Sequence, residues 1–348
     1  RSSATSCSTT GIIHMDHDTS NDTITAIAGL TVGHASLPET PSGCTVILPK
    51  GGALAGVEVR GGAPGTYGTD ALNPVCLVDR IHGLFFAGGS AFGLSVAEGL
   101  KRFLVEQQVG FDTGCGLVPI VAGAIIFDLG INCSHQYPDA ALGYEACLKA
   151  SPEPVAEGSV GAGRGATIGK LYGLNRAMKA GLGSAFIRAH SGLEVGALIV
   201  VNALGDIVDP ARGQLLAGCR KSTVSRELID SERELHKLTT LVGFQDGQHT
   251  VVGTVATNAR LNKTQLTKVA QMAHDGLART IYPAHTLYDG DTLFALSCGD
   301  LETVEVTVVG ALAAQVTAQA VLRAVRKAHS LGSHLPACED TFSGRDNP

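Results

Sequence analysis

The hydrophobic positions fall into two recurrent patterns. Short runs rich in Val, Ile, Leu and Phe, bounded by Gly, Asn or Asp, predict strands at 44–48, 84–87, 185–188, 195–201, 251–257, 293–297 and 303–309. Between them lie helical patterns. In 263–280, Leu266, Val269, Ala270, Ala273 and Leu277 repeat at the spacing of one buried stripe, with Asn262 placed to cap the first turn. Residues 311–328 are Ala-rich and end in Arg323, Arg326 and Lys327, charges that suit a helix C-terminus. The segment 90–104 predicts a buried helix after the pair Gly88 and Gly89. Residues 220–245 hold the densest charge and predict a solvated face. Strands alternating with helices give an α/β architecture with helices covering sheet. Residues 1–23 are polar and read as a flexible tail, 24–335 as a single domain, and 336–348 as a second tail.

Composition narrows the classes. With 44% apolar and 17% charged residues, the 348-residue chain can bury a sizeable core. The 44 glycines show no collagen-like period, so they mark turns and close backbone approaches. A net charge of −6 and the absence of a basic stripe argue against nucleic acid as a partner. No uninterrupted apolar run has the length of a membrane span, and the first residues lack the apolar centre of a signal peptide. Nine cysteines without a C-x-x-C pair suit a reducing compartment, so a cytoplasmic location is expected.

Several motifs offer chemistry and most have a plainer meaning. The stretch GAGRGATIGK (161–170) fails as a phosphate loop, because Arg164 stands where glycine is needed and Leu171 where Ser or Thr would hold magnesium. As a dinucleotide fingerprint it lacks a preceding strand and the acidic residue that should follow. Gly88-Gly89-Ser90-Ala91-Phe92 approaches a nucleophile elbow, but Phe92 is too large for its last position; Ser90 capping a helix is the simpler reading. Asp289-Gly290-Asp291 suits a turn, acid–base work or a metal. No H-E-x-x-H run or tight His cluster suggests zinc, and His274 reads as a surface or hydrogen-bonded residue. Thr250, after the polar run 245–249, reads on its own as the start of a strand.

Five stretches change that weighting: ITAIAGLTVGH (24–34), VEVRGGAPGT (57–66), FFAGGSAFGL (85–94), VPIVAGAIIFDL (118–129) and AHDGLARTIYPAHTLYDGDTLFAL (273–296). Together they resemble the self-processing L-aminopeptidase/D-esterase (DmpA-type) family, and within it the nylon-oligomer-hydrolase-like branch that uses a Thr nucleophile. The resemblance runs from about residue 24 to about residue 328.

It implies a four-layer α-β-β-α sandwich shared with ornithine acetyltransferases. It also implies a precursor that cuts itself between His249 and Thr250 into α and β chains. Thr250 lies at the family's nucleophile position. A newly exposed α-amine, with a pKa of about 7.7–8.0, would serve its own hydroxyl as base. Asn202 matches an Asn that helps hold the oxyanion, and Lys170 matches an active-site lysine that stabilises charge and keeps the amine neutral. Asp289 and Asp291 match paired residues that orient the hydroxyl and the amine. Gly88 and Gly89 are expected to bring backbone close to the site, with Phe127 facing substrate. Two departures stand out. His249 occupies a place where Asn or Gly is usual, and Phe127 lacks the hydroxyl of a Tyr found in some members.

Three functions stay open on these grounds. They are a hydrolase of small peptides or amides working through an acyl-enzyme, an acyltransferase of the ornithine-acetyltransferase kind, and an unprocessed, non-catalytic relative. No cofactor and no metal are expected. The expected partners are a small peptide or amide substrate and, by resemblance, further copies of the chain in a homo-oligomer, a tetramer, with neither nucleic acid nor membrane.

Overall fold

The computed structural model describes residues 21–131, 135–241 and 249–339. Its principal elements, in chain order, are strands β1 (Leu30–Ser36), β2 (Gly43–Pro49), β3 (Ala53–Val59), β4 (Thr66–Tyr67), β5 (Arg80–Ile81) and β6 (Gly83–Ala87), then helix α1 (Val96–Glu106), strand β7 (Val121–Ile125) and helix α2 (Ala140–Leu148). Strands β8 (Leu182–Arg188), β9 (Glu194–Asn202) and β10 (Thr250–Ala259) follow. Helix α3 (Lys263–Thr280), strand β11 (Thr292–Leu301) and helix α4 (Val306–Arg326) complete the set.

Two sheets form. One has the order β1-β2-β6-β7-β4 and the other β8-β9-β10-β11-β3-β5. Helices α1 and α2 pack on the first sheet, and α3 and α4 on the second. The period-2 geometry of a strand explains how each sheet buries both faces. In β2 and β6, Ile47, Leu84 and Phe86 join the large core that includes the second sheet, while Val46, Phe85 and Ala87 face α1 and α2. Phe86 meets Phe294 of β11 across the sheet interface, with ring centroids 6.1 Å apart. The result is the α-β-β-α sandwich that the resemblance implies.

Local signals explain much of this. In α3, Asn262 Oδ1 accepts from the Gln265 N–H at 2.9 Å and Gln265 Oε1 accepts from the Asn262 N–H at 2.9 Å, a reciprocal capping box. The predicted stripe of α3 is buried throughout. Helix α4 has the length and a mean hydropathy, 1.5, of a membrane span, but it is a core helix lying on β8 and β9 beside α3.

Several expectations need correction. The run 303–309 is not a strand, because Val306 already begins α4. Its last residue, Val309, opens a buried helical stripe that continues through Ala313, Val316 and Ala320, while Val308 is 48% exposed. Ser90 caps nothing; it has φ of 53° and opens a 3-10 turn, Ser90–Ser95, before α1. The charge-rich segment is rooted in the interior at its first residue, since the Arg220 guanidinium, 2% exposed, donates to the carbonyls of Asn175, Ala177, Thr223 and His334. The packed body also reaches past the expected boundaries. Thr23 is buried, Asp22 pairs with Arg323, and Ala337 and Cys338 are buried. Residues 1–20, Asn132, the run 245–248 and residues 340–348 lie outside the described residues.

Candidate active site

Strand order assembles the site. β10 and β11 are parallel neighbours, so the residues at their starts lie side by side. His249 bridges Asp289, and the Val251 N–H donates to Asp291 Oδ1 at 2.8 Å across 40 residues of sequence. β9 runs antiparallel to β10 and ends opposite its head, pairing Asn202 with Thr250. Lys170 arrives from the short strand Thr167–Ile168, held by its N–H to the Leu204 carbonyl at 2.9 Å. Thr250, Asn202, Lys170, Asp289 and Asp291 thus converge, and all are buried.

The Thr250 hydroxyl donates to the carbonyl oxygen of His249, the group whose carbon it would have to attack. The Gly290 N–H donates to the same oxygen at 2.9 Å. Gly290 therefore polarises that carbonyl and is placed where charge would develop on it. A side chain at 290 could not approach so closely, since a Cβ there would lie 2.7 Å from the Ala63 carbonyl and 2.8 Å from Thr250 Oγ1.

Asn202 is anchored on both sides. Its Oδ1 accepts from the Thr167 N–H at 3.0 Å, from the Thr167 hydroxyl at 3.3 Å and from Lys170 Nζ at 2.9 Å. Its Nδ2 donates to the Phe127 carbonyl at 3.0 Å. The charges are tuned by burial. Desolvation pushes the Lys170 pKa down to about 7, with Asp289 and Asp128 opposing. Burial, and then the neighbouring Lys170, push His249 down to about 2, so its ring is neutral. Burial raises Asp289, and the charge on Asp291 raises it further.

The other expected residues are placed differently. Gly88 and Gly89 approach Asp128 rather than Thr250. A Cβ at 88 would lie 2.1 Å from Asp128 Oδ2, and the Gly89 N–H, on a residue with φ of 82°, donates to Asp128 Oδ1 at 2.7 Å. Asp128 follows Phe127 in the chain, and the Phe127 carbonyl accepts from Asn202 Nδ2. Phe127 also lines a small cavity with Asp128, Gly165, Thr167 and Leu174. His274 is buried, and its Nε2 lies 3.1 Å from the Glu58 carbonyl oxygen. Sequence reasoning missed Gly290 as more than a turn residue, as well as Asp128, Thr167, His285 and Thr286. Each is polar or glycine within a stretch already notable, and that is the signal that could have found them.

The layered α-β-β-α body is the Ntn-hydrolase fold. Solved structures with this architecture include a β-aminopeptidase of Burkholderia sp. (TM-score 0.68, 21% identity, covering 95% of this chain and 96% of that one) and the L-aminopeptidase D-Ala-esterase/amidase of Ochrobactrum anthropi (TM-score 0.69, 20% identity, covering 92% of each). The chain belongs to peptidase family S58, whose model matches residues 22–335, and it is a peptide-bond hydrolase. It is 39% identical over 350 residues to an uncharacterized aminopeptidase of Mycobacterium tuberculosis, covering 93% of this chain and 98% of that protein. It is 32% identical over 311 residues to the 6-aminohexanoate-oligomer endohydrolase of Kocuria sp. (strain KY2), covering 86% of this chain and 84% of that protein.

Proposed function

We propose that this hydrolase cuts its own chain between His249 and Thr250, and that the freed Thr250 then hydrolyses small peptides or linear amides through an acyl-enzyme. The observation that carries the reading is the shared carbonyl of His249, touched by the Thr250 hydroxyl and by the Gly290 N–H. Attack by Thr250 Oγ1 on that carbon, with loss of the hydroxyl proton, moves the acyl group from nitrogen to oxygen. Water then cleaves the ester, leaving a carboxylate on His249 and an amine and a hydroxyl on Thr250. In turnover the amine takes the hydroxyl proton as the substrate carbonyl is attacked and returns it to the departing amine. Lys170, with a pKa near 7, bears on the charge of that amine. Thr250 is 2% exposed in the uncut chain, so processing precedes turnover. Relatives named for aminopeptidase and oligomer-endohydrolase activity support linear amides as the substrate class.

N-terminal sequencing and denaturing mass spectrometry test the reading. The wild type is expected to give a second N-terminus starting Thr-Val-Val-Gly. Thr250→Ala should remain one piece and lose at least about a thousandfold in kcat/KM. An uncut wild-type chain with full activity overturns it.

A further inference from the structure

Asp289 and Asp291 are two buried carboxylates separated by one glycine, and burial and mutual repulsion work against the charge on Asp289. Such a pair needs donors, and two consecutive residues supply them. His285 donates its N–H at 3.1 Å and its Nδ1–H at 2.8 Å to Asp291 Oδ2. Thr286 donates its N–H at 3.0 Å and its hydroxyl at 2.5 Å to Asp289 Oδ2. One oxygen of each carboxylate is thereby gripped, and the other points elsewhere. Asp291 Oδ1 accepts the Val251 N–H, next to the nucleophile, and Asp289 Oδ1 accepts from the Leu204 N–H at 3.4 Å.

We infer that His285 and Thr286 are positioning residues, which fix the plane of each carboxylate and so decide which oxygen of Asp291 serves the head of β10 and which oxygen of Asp289 serves the Leu204 turn after β9; the inference rests on the Thr250 reading. The local costs favour this over simple packing. His285 sits in the left-handed region, with φ of 56°. An acceptor oxygen of Asp291 faces Nδ1, so a proton sits on Nδ1, while the buried Nε2 has no hydrogen-bond partner among the described residues. The ring lies edge-on to His274, centroids 4.8 Å apart. A Leu would fill that space without an orphaned nitrogen. What an alkyl chain cannot supply is the second donor to Asp291. Backbone strain and an unpaired polar atom held in one residue beside paired carboxylates mark a functional constraint.

The test uses conservative and non-conservative variants. Asn at 285 and Ser at 286 keep a side-chain donor, whereas Leu at 285 and Val at 286 remove it. His285→Leu and Thr286→Val are expected to lower kcat of the processed enzyme by about tenfold or more, with KM within about twofold. His285→Asn and Thr286→Ser should stay within about threefold of wild type. The inference is overturned by Leu and Val variants that keep wild-type kcat, or by equal losses in the donor-keeping pair. Should His285→Leu fail to fold, Thr286→Val, a near-isosteric change, decides the matter. If the wild type itself shows no Thr250 N-terminus, the parent reading falls first. If it is cut and the Leu and Val variants are unaffected, only the positioning role falls.

Discussion

Lys170 and Lys179 lie nine positions apart, are equally buried, and burial pushes both pKa values down to about 7. Their partners divide them. Lys179 Nζ is surrounded by the carbonyl oxygens of Gly163 at 3.2 Å, Ala166 at 2.9 Å and Ala180 at 2.7 Å. Three carbonyl acceptors match the three N–H donors of an ammonium, so Lys179 ties loops together. Lys170 instead meets the side chain of Asn202 at 2.9 Å and its carbonyl at 3.3 Å, with Asp289 as its strongest opposing charge. Those partners lie beside Thr250 and His249, where the proposed reaction takes place. Burial makes a lysine sensitive; the bonding partners decide whether that sensitivity is structural or chemical.

Variants of the two lysines should separate these roles most sharply. Lys170→Met is expected to lower kcat by about 10²-fold or more, whereas Lys179→Met should leave kcat of the folded enzyme within a few-fold, measured on the same amide substrate. If both lose activity equally, the comparison fails. Gly290→Ala probes the backbone donor to the His249 carbonyl. A methyl group pressed against Thr250 Oγ1 should slow appearance of the Thr250 N-terminus by about 10²-fold, followed by mass spectrometry after synthesis. Stability should show the reverse ranking. Lys179→Met strips three buried carbonyls of their donor and should cost about 3 kcal/mol or more in denaturant unfolding of the Thr250→Ala background.

The smallest effect is in pH dependence. Lys170 is depressed from 10.5 to about 7 in the folded chain. Between those values the unfolded chain binds the extra proton, so stability rises with pH from about 7 upward and gains nothing from this group below it. Lys179 is depressed in the same way, so Lys170→Met and Lys179→Met should each flatten the rise in Tm between pH 7 and 9. A rise left unchanged in either variant would show that its lysine is not depressed in the folded chain.

Six of the seven predicted strands form, because runs such as 195–201 are β-rich and end at turn residues. The strands β1, β3 and β7 and the helix α2 escaped notice. Their Gly and Ala content, as in the ALAGVEV of β3, weakens the strand signal while allowing helices to lie close. The run 303–309 shows the converse error, since a short apolar segment reads equally as strand or buried helix until its continuation is followed. At the site, Thr250, Asn202, Lys170, Asp289 and Asp291 were legible only through resemblance to a family. Spacing alone left Thr250 a strand start and the Asp pair a turn.

The sequence by itself determined the helices α1, α3 and α4, six of the strands and the identity of the residue types that converge. It could not say that Gly290 donates to the His249 carbonyl, that Gly88 and Gly89 lie against Asp128, or that Lys170 and Lys179 meet different partners. The first follows from β10 lying parallel to β11 and antiparallel to β9, which brings residues 40 or more positions apart into hydrogen-bond contact, and the second from β6 lying parallel to β7 in the other sheet. Local periodicity encodes which face of an element is buried. It carries no information about which strand lies next to which, and the chemistry here is set between strands.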